Sequence, residues 1–167
     1  MGRSLSVVVF CCLLAASQPN AEIAPTATEK YESPDHTAIA LVISKKIPTA
    51  TRESRVEVWS ESGRLIATTS YFSPDGEHGF GVNKALWTPD SQFFVYSLES
   101  SGGHQAWHTP VRFFDRKRKQ TVSLDAALND PIMDPNFIVR EPDHVTVQLW
   151  SSKKQVTVSL STLHSSR

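Results

Sequence analysis

The chain has 167 residues, 40% of them hydrophobic, with 17 basic and 17 acidic side chains. That is enough for one domain with a real core. Balanced charge excludes a global basic field, so no nucleic-acid partner is expected. The two cysteines, Cys11 and Cys12, leave no thiol downstream for a disulfide or a cysteine-ligated metal.

In chain order, Arg3 gives a positive start and Leu5 to Ala16 (LSVVVFCCLLAA) is an apolar run. The run falls short of the roughly 20 residues that span a bilayer. Ala15-Ala16-Ser17 then supplies small residues. The pattern predicts a secretory signal over 1–17, with an alternative end at 21, and a periplasmic or secreted product without a transmembrane anchor. Phe10 ahead of Cys11 argues against a lipid anchor. Both cysteines leave with the signal. Residues 18–32 (QPNAEIAPTATEKYE) are polar and read as a mobile leader.

From there to residue 163 the chain reads as a single β domain, because the apolar period is two. Ala38 to Ser44 (AIALVIS) is a buried-strand pattern. Arg55 to Ser60 (RVEVWS) puts Val56 and Val58 on one face and Glu57 and Trp59 on the other. A turn at Glu61–Arg64 joins it to Leu65–Thr69 as a hairpin. Phe93–Leu98 and Val111–Asp115 are the next strands. The basic turn Arg116–Lys119, read as a solvated tip, leads to Gln120–Leu124. One short helix is expected at Leu124–Leu128, capped by Ser123 or Asp125. His144–Trp150 and Gln155–Leu160 form the clearest hairpin, with Val145, Val147 and Leu149 facing Val156, Val158 and Leu160. The class is all-β: antiparallel sheets built from hairpins, as a partial propeller or a small sandwich.

A Pro-Asp pair recurs at Ser33-Pro34-Asp35, Ser73-Pro74-Asp75, Thr88-Pro89-Asp90 and Glu141-Pro142-Asp143. Proline presets φ for a turn and the aspartate can accept from backbone N–H groups just downstream. "LWTPDSQFFVYSL" (86–98), with the strand closed by Asp115, resembles the WD-like β-propeller repeat of the periplasmic Tol translocation protein and of some peptidase propellers. "SPDHTAIALVIS" with "SRVEVWSESGRLIATT" resembles a second copy and "EPDHVTVQLW" a third. The resemblance implies two to three blade-like repeats, fewer than a closed ring requires. A compact monomer is expected, with an oligomer as the alternative.

Two stretches read as long loops, 72–86 and 99–110, and long glycine-bearing loops on a rigid sheet are where binding concentrates. The second carries His104, Gln105, Trp107 and His108, and the first carries Phe80; these are the candidate binding residues. Trp107 either stacks on a ligand or folds back to cap the sheet. Asp75, Glu77 and His78 with His104 and His108 offer the donors that zinc or a similar divalent ion accepts, although no HExxH-type motif ties them together. No cofactor is otherwise expected.

A Ser101–His104–Asp75 triad lacks a G-x-S-x-G elbow, and no strand presents paired carboxylates. The chain thus reads as an exported binding or scaffolding module rather than an enzyme, its partner an unknown protein or cell-envelope ligand. The alternatives are a metal-binding protein or metal-dependent hydrolase using His78, His104 and His108, and an envelope assembly partner pairing through an exposed sheet edge.

Overall fold

The computed structural model describes residues 25–46, 52–76, 78–102 and 108–163. The segment expected to be a signal, Glu77, His104, Gln105 and Trp107 lie outside them. Three antiparallel sheets follow one another along the chain, and none closes into a barrel. The first contains β1 (Pro25–Glu32), β2 (Ala38–Lys46), β3 (Arg52–Ser60) and β4 (Leu65–Ser70). The second contains β5 (Phe80–Trp87), β6 (Phe93–Ser100), β7 (Val111–Asp115) and β8 (Gln120–Ser123). The helix α1 (Leu124–Leu128) leads to a third sheet of β9 (Ile138–Arg140), β10 (His144–Gln148) and β11 (Gln155–Ser159). In each sheet, strands adjacent in sequence are adjacent in space, the arrangement that short hairpin turns impose. Among the described residues no helix is long and apolar enough to cross a membrane.

Two hydrophobic cores lie on the two faces of the second sheet. Ala38, Ala40, Val42, Val56 and Val58 of the first sheet pack against Trp87, Phe94, Tyr96 and Leu98. On the other side, Phe93, Val95, Val111 and Phe113 pack against Ile132, Phe137, Val145, Val147 and Leu160. This explains why Phe93–Leu98 reads as an unbroken apolar run. Successive side chains of β6 enter different cores, so neither face can be polar. The expected alternation in β3 is present, with Val56 and Val58 buried. The expected terminal hairpin pairs Val145 with Val158 and Val147 with Val156. Ser123 caps α1, accepting from the Ala126 N–H, while Asp125 is left for other bonds.

Three expectations require correction. The leader ends sooner than residue 32, because 25–32 form β1 and pair with β2 from Pro25 to Glu32. Its alternation is hidden because Ala27 to Lys30 and Glu32 are exposed and charge lies on both faces, Glu29 beside Tyr31 and Lys30 beside Glu32. The loop expected over 72–86 stops at Gly79, and β5 begins at Phe80. Gly81, Asn83 and Lys84 mask that strand's apolar period, and a bulge between Val82 and Lys84 breaks it. The basic turn is not merely solvated. Arg116 donates to Asp35 Oδ2 at 2.9 Å, Ser91 O at 2.8 Å and Thr37 Oγ1 at 2.7 Å, and Arg118 donates to Asp115 Oδ2 at 2.6 Å.

The Pro-Asp pairs at 34, 89 and 142 each join the first and second strands of a sheet. The first two are built alike, bond for bond. Ser33 Oγ donates to Asp35 Oδ1 at 2.6 Å and accepts from Ala38 N–H at 3.0 Å. Thr88 Oγ1 donates to Asp90 Oδ1 at 2.6 Å and accepts from Phe93 N–H at 3.0 Å. His36 and Ser91 hold the matching left-handed position, with φ of 59° and 62°. The third turn has a cis Glu141–Pro142 bond, and its buried Asp143 accepts from Ser159 Oγ and Ser161 N–H. The turns also bond to one another. Asp35 N–H donates to Ser91 Oγ at 2.9 Å and Asp90 N–H to Pro142 O at 3.2 Å, which aligns the three sheets at this end.

Candidate functional site

At the other ends of the strands the first and second sheets diverge around a groove of about 350 Å³, lined by Glu29, Arg52, Gly81, Val82, Asn83, Glu99 and Ser100. Asn83, Glu99 and Ser100 also line a smaller cavity of about 160 Å³, completed by His108, Thr109, Met133 and Pro135 between the second and third sheets. The two cavities share a wall. Asn83 is the extra residue of the β5 bulge, and a bulge frees a side chain from the ladder and re-aims it. Gly81 sets the width of the groove, since a Cβ there would run into the Arg52 carbonyl oxygen.

The floor beside this groove is fixed by a residue the sequence does not single out. Glu53 is only 2% exposed, yet it is a carboxylate on a strand. It accepts from Ser73 N–H at 2.9 Å, Ser73 Oγ at 2.5 Å, Gly79 N–H at 2.7 Å and Ser101 Oγ at 3.0 Å. Burial pushes its pKa up, but the bonds from Ser73, Gly79 and Ser101 outweigh that and hold it below the ordinary glutamate value. A side chain on Gly79 would collide with that carboxylate and with Tyr71 O. One buried anion therefore ties together the start of β3, the connector before β5 and the end of β6. An acid next to Ser54 in a polar stretch gives no sequence signal of burial.

The structure separates the described candidates. His78 and Asp75 pair with each other, Nδ1 to Oδ2 at 2.5 Å, on an exposed loop. His108 lies instead at the smaller cavity, where its Nε2 is 2.9 Å from Asp125 Oδ1. Asp125 also accepts from the backbone N–H of Val111 and of Ile132. Asp125 thus appears twice in the architecture, in the first turn of α1 and as the anchor of His108, a role its reading as a helix cap does not suggest. Phe80 packs against the first core rather than standing free in a loop. Among the described residues no three His, Cys, Asp or Glu side chains converge as a ligand set. His104, Gln105 and Trp107 lie outside the described residues.

What the groove offers is polar recognition. Among the described residues, the side chains of Arg52, Asn83, Glu99 and Ser100 make no hydrogen bond or ion pair, whereas Glu29 accepts from Tyr31 OH at 2.6 Å. A guanidinium, a carboxylate, an amide and a hydroxyl are therefore available around one cavity. No protein-family model matches the chain, and no curated protein matches it either.

Proposed function

We propose that this chain is an exported, non-enzymatic binding module of the cell envelope, which recognises its ligand at the groove beside the 99–110 loop. The observation that carries the reading is the set of uncommitted polar side chains, Arg52, Asn83, Glu99 and Ser100, gathered at one cavity on a rigid sheet. Polar groups that converge without internal partners suit a ligand that brings its own. Export is supported by the N-terminal apolar run and its small-residue end. A blade-like repeat is supported by the matched turns at Ser33 and Thr88, each between the first and second strands of a four-stranded meander. Nuclear magnetic resonance (NMR) screening with small polar fragments tests the site. Hits should shift the amides of Gly81, Asn83, Glu99 and Ser100; hits that map only elsewhere would overturn the reading.

A second reading, an assembly partner that pairs through a sheet edge, is favoured by β11. The first two sheets have four strands and the third has three among the described residues. On the edge of β11 (QVTVS) away from β10 no described strand is paired, and the strand carries no charge to discourage pairing. Val156 and Val158 are only partly buried at the margin of the second core. Light scattering should then show a concentration-dependent assembly that a lysine at exposed Thr157 abolishes. A monomer at every concentration, with or without that lysine, counts against it.

A further inference from the structure

Resting on the reading of this groove as the recognition site, we propose that its ligand is a short peptide with both termini free, held by its two ends. The lining is of mixed charge. A simple anion would face Glu29 and Glu99, and a simple cation would face Arg52. A molecule carrying both charges satisfies both walls.

The assignments follow from what each group already does. Arg52 has no ion-pair partner among the described residues, and its planar fork matches a carboxylate in two parallel bonds. Of the two acids, Glu29 already accepts from Tyr31 OH, so Glu99 is the partner for the ammonium group. At the same cavity Asn83 presents an amide, a donor and an acceptor side by side, which is the pairing complement of a peptide group. The bulge at Asn83 is what brings that amide to the cavity.

Size and polarity narrow the class further. A cavity of about 350 Å³ lies at the lower end of ligand pockets, which run from about 300 to 1,000 Å³. A second cavity of about 160 Å³ continues from the same three residues. The space exceeds a single amino acid's needs and suits a few residues. Among the described residues no aromatic lines either cavity, and the polar groups that do line them address a ligand's backbone and ends.

The test uses tri-L-alanine with free ends, its N-acetyl derivative and its C-terminal amide, titrated by calorimetry and by amide shifts. Removing either terminal charge should weaken binding about tenfold, the usual effect of losing one charge-assisted hydrogen bond. Arg52→Gln should abolish the preference for acid over amide and leave the preference for amine over acetyl. Glu99→Gln should do the reverse. A merely structural role for either residue would not produce this crossed pattern. If all three peptides bind equally at the groove, the charge assignment is wrong and the site stands. If the free tripeptide shifts no groove amide while another polar fragment does, the peptide class is wrong and the site again stands. Asn83→Trp fills the groove from an exposed bulge; binding unchanged in that variant would overturn both readings.

Discussion

Replacing Glu53 tests whether one buried carboxylate holds the groove end of the molecule together. In Glu53→Ala, the N–H groups of Ser73 and Gly79 and the hydroxyls of Ser73 and Ser101 lose their acceptor. The hydroxyls can rotate to other acceptors; Ser101 Oγ is already 3.1 Å from Gly79 O. The two backbone donors cannot. An unsatisfied buried donor costs about 1–3 kcal/mol, so with two such donors the variant should lose about 2–6 kcal/mol, a large part of a typical domain's stability. Glu53→Gln keeps one acceptor oxygen and should lose about half as much.

The pH dependence has a definite sign. The bonds favour the ionised side chain, so the native pKa lies below the ordinary value of 4.5. On acidification the unfolded chain therefore takes up this proton first. The contribution is complete above the ordinary value and is lost as pH falls through the native one. Urea denaturation across pH 3–7 measures both effects, with the midpoint reporting stability and the slope confirming an unchanged transition. A loss below about 0.5 kcal/mol in Glu53→Ala, or an acid limb identical in wild type and Glu53→Gln, would refute the clamp.

Other expectations follow from the same geometry. Thr88→Val preserves volume but leaves the buried Phe93 N–H without its Thr88 acceptor, and should cost about 1–3 kcal/mol in chemical denaturation. Ser33→Ala should cost a similar amount through Ala38 N–H, since the two turns are equivalent. Phe94 is fully buried among Tyr31, Trp87 and Tyr96, so Phe94→Ala should lose about 3–5 kcal/mol. Arg116→Ala removes the link from the basic turn to Asp35, Thr37 and Ser91; its loss of about 1 kcal/mol should shrink at high salt, because Asp35 is partly exposed.

The fold class was legible because strands with one buried face leave a period of two. Val56 and Val58 show it, as do Val145 and Val147. The pattern failed where a strand carried polar or small residues for reasons of its own. β5 was invisible because Gly81 makes room for the Arg52 carbonyl and Asn83 bulges out. β1 was invisible because both its faces carry charge and, among its described side chains, Tyr31 alone is partly buried. The Pro-Asp turns announced themselves through local chemistry, and local chemistry was sufficient to build them. Their bonds to one another were hidden, since Asp35 meets Ser91 across 56 positions of sequence. Long-range partners also hid Glu53 and the pairing of His108 with Asp125. Residue type suggested that His78 and His108 share a chemistry, but not that each would find an aspartate of its own.

The double burial of β6 has a consequence for the order in which the chain assembles. As the polypeptide emerges from its N-terminus, Ala38, Ala40, Val42, Val56 and Val58 are complete before anything exists to cover them. They stay exposed until residues 80–100 arrive, and the third sheet in turn needs the opposite side of the same strand. A chain halted before residue 93 lacks Phe94, Tyr96 and Leu98, which cover the first sheet, and one halted soon after residue 100 leaves Phe93 and Val95 without the third sheet. Substitutions in β6 should therefore slow the arrival of the native state more than substitutions at either end of the stack.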